Sequence, residues 1–154
     1  MIHKFDKPYE FLSNFYPSRV YYKGVSFPSV EHAYQASKTY DEKIIKQIAS
    51  LRPDQAGKAK RIGKKCKLRS DWEDIKIEVM EKLLRQKFDQ KTLKEKLLKT
   101  GDQIMIEGNY WHDNFWGHCY CVKCSLSGGG FGKNILGQLL MRLREEYNES
   151  INNR

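Results

Sequence analysis

The stretch from Ser70 to Phe88 constrains the fold more than any other part of this chain. Apolar side chains recur there at Trp72, Ile75, Val79, Met80, Leu83, Leu84 and Phe88. That three-and-four spacing gathers them on one stripe of an α-helix. Ser70 and Glu73 have the Ser-x-x-Glu form of a capping box, which predicts where the helix opens. Further helices are predicted around it. Leu93, Leu97 and Leu98 mark a shorter one that stops at Gly101. Leu136, Leu139, Leu140 and Leu143 face inward on a closing helix from Asn134 to Tyr147. Ser29 is a good N-cap for a helix from Val30 to about Tyr40. Glu42 to Ala49 forms another, and Pro53 fits the first turn of a third that ends near Gly63. Strand signals are few. Val20–Tyr22 and Val25–Phe27 flank Lys23-Gly24 as a hairpin, and residues 103–107 alternate weakly as a short strand. Residues 108–133 have no regular period. The expected class is α+β, mainly helical. No linker or repeat divides the chain, so residues 1–150 read as a single domain and 151–154 as a C-terminal tail.

Apolar residues make up 40% of the 154 and aromatics 12%, which excludes a disordered chain. No apolar run approaches the ~20 residues a membrane span needs. The first residues lack the apolar core of a signal peptide, so the expected compartment is the cytoplasm. Three of the four cysteines, Cys119, Cys121 and Cys124, crowd into six residues, apart from Cys66. A secreted disulfide framework is not spaced that way. The formal charge is +9, and residues 55–70 hold Lys58, Lys60, Arg61, Lys64, Lys65, Lys67 and Arg69 without one acid. Such a segment is either a solvated basic helix and loop or the contact for an anionic partner.

Three acids are candidates for chemistry. Glu31 lies in the first turn of its helix, where the dipole alone favours a carboxylate. However, Gln35 and Lys38 follow on the same stripe and can hold a sugar or a phosphate. Asp113 sits in Tyr110-Trp111-His112-Asp113-Asn114-Phe115-Trp116-Gly117, where rings either fill a core or stack on a base. Glu107 ends the predicted strand, a common place for a return to solvent. Two or three carboxylates with aromatics are the equipment of a glycosidase, one stabilising the oxocarbenium-like centre and another handling the proton. Cys121 and Cys124 form one C-x-x-C pair. Zinc would need Cys119 and one of His118, His112 or Cys66 as well. Gly128–Asn134 lacks the spacing and the hydroxyl of a phosphate loop. No local context supports a cysteine–histidine nucleophile.

Together, Phe11-Leu12-Ser13-Asn14-Phe15 and Ser29-Val30-Glu31-His32-Ala33-Tyr34-Gln35-Ala36, with Lys38, resemble the opening of the YbiA-like family, also called the NADAR domain. Trp72, Met80 and Lys87-Phe88 are similar to its central helix. Thr100-Gly101 and Ile106-Glu107 match its strand entry, and Asp113-Asn114-Phe115-Trp116-Gly117 its acid-aromatic element. Gly132-Lys133-Asn134, Leu136-Gly137, Leu140-Met141 and Arg144 match its last helix. The resemblance implies an N-glycosidase acting on the ribosylamine bond of phosphorylated riboflavin-pathway intermediates or on ADP-ribose attached to guanine in nucleic acid. It implies Glu31 and Asp113 as catalytic acids and Trp72 at the base site. Asn14, Phe15, Lys38, Glu107, Trp116 and Asn134 would line the pocket, and Lys67 and Arg69 would contact phosphate. No cofactor, metal ligand set, membrane or obligate protein partner is expected. The rival reading is a non-catalytic nucleotide- or nucleic-acid-binding module held by a small structural zinc loop. The chain departs from the family between Gly117 and Gly132, where the cysteine run replaces a short glycine-rich turn.

Overall fold

A computed structural model describes residues 1–153. The chain packs as two compact units, residues 14–93 and residues 1–13 with 94–154. The fold is α+β and mainly helical, with seven α-helices and two small two-stranded sheets among the described residues. No described helix is long and apolar enough to cross a membrane.

In residues 14–93, β1 (Val20–Tyr22) and β2 (Val25–Phe27) pair antiparallel with Tyr21 opposite Ser26. Lys23 and Gly24 turn the chain at φ +46° and +78°. Two successive left-handed residues give the turn whose twist suits a two-residue hairpin, and a glycine takes the second position without strain. α1 (Val30–Ser37) is capped as expected, with the Ser29 hydroxyl accepting the His32 N–H. It stops short of Tyr40, and the Lys38 carbonyl is taken instead by the Arg69 N–H. α2 (Glu42–Ala49) is capped by the Asp41 carboxylate, and a 3-10 turn at Pro53–Gln55 leads into α3 (Ala56–Lys65). α4 (Trp72–Asp89) buries Trp72, Val79, Met80, Leu83, Leu84 and Phe88. The capping box predicted at Ser70 and Glu73 does not form. Asp71 precedes the helix with its carboxylate on Arg69, and Glu73 pairs with Lys76.

α1 is the centre of this unit. It packs on α2, α3, α4 and the hairpin, and all eight of its residues are buried. A helix covered on every side is ordinarily apolar throughout. This one buries Glu31, His32, Gln35 and Ser37.

α5 (Lys91–Leu98) leads the chain out of residues 14–93. In the second unit, the strand expected over 103–107 reduces to one parallel bridge between Ile2 and Met105. The stretch expected to be irregular contains β3 (Gly108–Asn109), parallel to β4 (His118–Cys119), and the short α6 (Val122–Leu126). Elements of two to five residues leave no period to read. α7 (Ile135–Asn152) buries Leu136, Leu139, Leu140, Leu143 and Tyr147. The Arg144 guanidinium donates to Thr100 Oγ1 and the Gln103 carbonyl. α7 runs past Tyr147 because residues 148–152 contain neither glycine nor proline. Two residues of the expected tail, 151 and 152, are therefore helical, and residue 154 lies outside the described residues.

Candidate functional site

In residues 14–93 the polar stripe of α1 is a connected group. Glu31 is 6% exposed, and its carboxylate accepts a hydrogen bond from Gln35 Nε2 at 2.7 Å. Its backbone N–H donates to the Asn14 carbonyl at 3.0 Å, which binds the residue 14 loop to the start of the helix. The buried side-chain oxygens of Asn14 and Gln35 have no hydrogen-bond partner. Buried polar atoms left in that state are costly and are concentrated at working sites. Lys38 is half-buried. Burial pushes its ammonium below the ordinary lysine range, Lys60 and Lys64 push the same way, and the Glu31 carboxylate and Cys66 pull against them. Tyr34 has the Lys38 ammonium 5.3 Å from its ring centre and the ring of the buried Trp72 at 5.2 Å. Phe15 is exposed, with the Lys60 ammonium 6.0 Å from its ring. Glu31, Asn14, Gln35 and Lys38 thus share one environment, with Trp72 and Phe15 as ring surfaces in the same unit.

Lys67 and Arg69 line a cleft of about 400 Å³ with Tyr40 and Asp41. Lys67 is exposed, as a phosphate contact requires. Arg69 is already engaged. Its guanidinium forks onto Asp71 at 2.6 and 2.9 Å, donates to the Tyr22 hydroxyl, and stacks 4.5 Å from the Tyr40 ring. Arg69 therefore braces the hairpin and the start of α4 with three of its five N–H donors.

In the other unit, Asp113 is half-buried, and one oxygen of its carboxylate accepts the N–H groups of Phe115 and Trp116 at 3.0 and 2.9 Å. Asn109, buried and absent from the sequence candidates, holds the other side of the loop. Its side chain accepts from the Trp111 and Asp113 N–H groups and donates to the Asp113 carbonyl. Only the general turn preference of asparagine could have flagged it. Asn134, at φ +50°, donates to the Met105 carbonyl and accepts the Glu107 N–H, so it fixes the backbone that carries Glu107. Glu107 lines a cleft of about 270 Å³ with Lys4, Asp6, Tyr110 and Trp111. Trp111 is 58% exposed there, whereas Trp116 is half-buried with its ring edge-on to Phe115.

The same unit brings His112 together with Cys119, Cys121 and Cys124. His118, the other histidine near the cysteines, stacks face to face on Phe131 at 3.9 Å and accepts the Gly132 N–H. Cys66 donates to the Gly63 carbonyl, beside Lys38.

The NADAR domain family model matches residues 2–148. An N-glycosidase of Nostoc punctiforme is 37% identical over 145 residues, which are 91% of this chain and 86% of that protein. N-glycosidase YbiA of Escherichia coli is 36% identical over 135 residues, covering 87% and 79% of the two chains. A riboflavin biosynthesis protein of Vibrio vulnificus is 40% identical over 147 residues, but the chain spans only 37% of its length. The NMR structure of the E. coli protein YbiA covers all of this chain and 90% of its own, at a TM-score of 0.77 and 32% identity.

Proposed function

Starting from a chain that belongs to the NADAR domain family, we propose that it hydrolyses the C1–N bond of a phosphorylated N-riboside. The observation that carries this is the buried Glu31 carboxylate on α1, held by Gln35 and faced by Lys38. Burying an ionisable group on the innermost helix costs stability, and a catalytic role for the carboxylate accounts for its being kept there.

In this mechanism the C1–N bond breaks towards an oxocarbenium-like ribose, and the departing nitrogen takes a proton. Water adds its oxygen to C1 and gives up a proton. Glu31 carries a carboxylate role, stabilising the cationic carbon or moving these protons, and Asp113 is the second acid that the family resemblance implies. Gln35 keeps the Glu31 carboxylate oriented. Aromatic side chains, among them Phe15, Trp72 and Trp116, serve the base, and Lys38 with Lys67 serves the phosphate. Carboxylates are sufficient for each step, so none is assigned to a metal.

Two substrates fit this chemistry, a ribosylaminopyrimidine phosphate of riboflavin synthesis and ADP-ribose attached to guanine in nucleic acid. The relatives' names support the first. The exposed Lys58, Arg61, Lys64 and Lys65 on α3 support a polymer-linked second. The test is base release from both substrates by the wild type and by Glu31→Gln. Release from either one that is lost in the variant supports the glycosidase and names its substrate. An oligonucleotide that binds while neither base is released would overturn it in favour of a non-catalytic binding module.

A further inference from the structure

We propose that His112, Cys119, Cys121 and Cys124 form a structural zinc site that fastens residues 118–126 to the loop bearing Asp113. The four ligand atoms all lie within 4.8 Å of one another, and His112 Nδ1 is 3.3 Å from both Cys121 Sγ and Cys124 Sγ. Tetrahedral zinc, with bonds of about 2.0–2.3 Å, sets neighbouring ligand atoms roughly 3.5–3.8 Å apart. Around the ion the most separated ligand atoms would close by up to about 1 Å, and the two 3.3 Å pairs would open by a few tenths of an ångström.

The surroundings are those of thiolates. The Cys124 N–H points at Cys121 Sγ at 3.4 Å, as a C-x-x-C turn does when both sulfurs face one ion. Asn114 Nδ2 points at Cys124 Sγ at 3.4 Å while Asn114 Oδ1 accepts the Cys119 N–H at 2.9 Å. Asn114 therefore connects two ligands from behind, the usual position for an outer partner of a metal site. Three cysteines and a histidine are a complete structural set, with no position left for substrate or water.

A second, independent observation is that α6 has little else to hold it. The helix has five residues and buries none, and Val122 and Leu126 are 72% and 80% exposed. A single helical turn whose apolar side chains are left in solvent is not stable alone, and small elements without a core need a staple. His112 also sits at φ +68°, a left-handed position that a bound imidazole would stabilise. Asp113 is the next residue, so the ion would immobilise the carboxylate loop without touching the reaction.

The experiment uses the full chain, purified under reductant, with metal measured by mass spectrometry and thiols counted after unfolding. One zinc per chain is expected, lost in Cys121→Ser and Cys124→Ser, with circular dichroism reporting a total helix content close to that of the wild type. Asn114→Ala should retain the ion with about 10–100-fold weaker affinity. Cobalt added to the apo protein should give sulfur-to-cobalt charge transfer and the intense visible bands of a tetrahedral site. In the wild type, zinc should slow hydrogen exchange over residues 110–131 and leave α4 unchanged. A Cys121–Cys124 disulfide, metal retained in both serine variants, or a cobalt spectrum of higher coordination would each overturn the assignment. None of these readouts depends on base release, so a failed glycosidase assay would leave them intact.

Discussion

Gln35 is the residue on which the Glu31 chemistry most depends, and Gly63 makes its position possible. The Gln35 side chain lies directly against the Gly63 backbone, and a Cβ there would collide with the amide. Gly63→Ala should displace Gln35 and release the Glu31 carboxylate. The expected result is a fall in kcat of about tenfold or more and a stability loss of roughly 1–3 kcal/mol. Rescue of kcat by Gln35→Ser in the same chain would show instead that only bulk matters. Glu31→Gln should lower kcat by about a hundredfold to ten-thousandfold, the usual range for losing an acid–base group, with melting unchanged within a few degrees. Asp113 needs two variants because it also holds the Phe115 and Trp116 N–H groups. Asparagine keeps an acceptor oxygen there and alanine does not. Asp113→Asn should therefore abolish turnover at near-native stability, while Asp113→Ala also loses about 1 kcal/mol. Turnover that persists in Asp113→Asn would reduce the residue to a loop brace.

At the scale of elements, α4 carries a pH response. Lys87 is fully buried, its ammonium 5.5 and 5.1 Å from the rings of Tyr16 and Phe88, and burial lowers its pKa to about 7. The unfolded chain keeps an ordinary lysine near ~10.4. Between those values the unfolded state binds a proton that the folded state lacks, so stability rises with pH, by at most about 1.4 kcal/mol per pH unit from this group. Below about 7 both states are protonated and the contribution is flat. Denaturation of the wild type and Lys87→Met from pH 7 to 10 should give converging curves, the variant being the more stable at pH 7. Parallel curves would show that Lys87 does not titrate in this range. His32 on α1 acts in the same direction at acid pH. Burial lowers its pKa, and its ring nitrogens are paired with Ser29 Oγ and the Arg52 carbonyl. Folding therefore weakens as pH falls through the ordinary histidine range, when the unfolded state gains the proton first.

For the whole molecule, the basic excess makes salt the test of which partner is reached. If the substrate is part of a nucleic acid, log affinity should fall with log salt at a slope of roughly one per phosphate contacted. Charge reversal of Lys64 and Lys65 should flatten that slope. A salt-insensitive KM on the pyrimidine phosphate would point to the free metabolite. The sequence alone was enough for the long stripe of α4, the hairpin, the Ser29 cap and the leucines of α7, because each is a local pattern of period or turn chemistry. It also carried the family motifs, since these are short and ordered along the chain. It could not show that α1 is covered on every side, because a helix with one apolar face reads the same whether its polar face is wet or buried. It also left the fourth partner of the cysteines open among His118, His112 and Cys66. Distance in space settled that, bringing His112 to the cluster from seven residues before Cys119 and leaving His118 stacked on Phe131. Local sequence marks the longer periodic elements and the side chains they present. Which polar groups end up buried together is decided only by the packing of residues far apart in the chain.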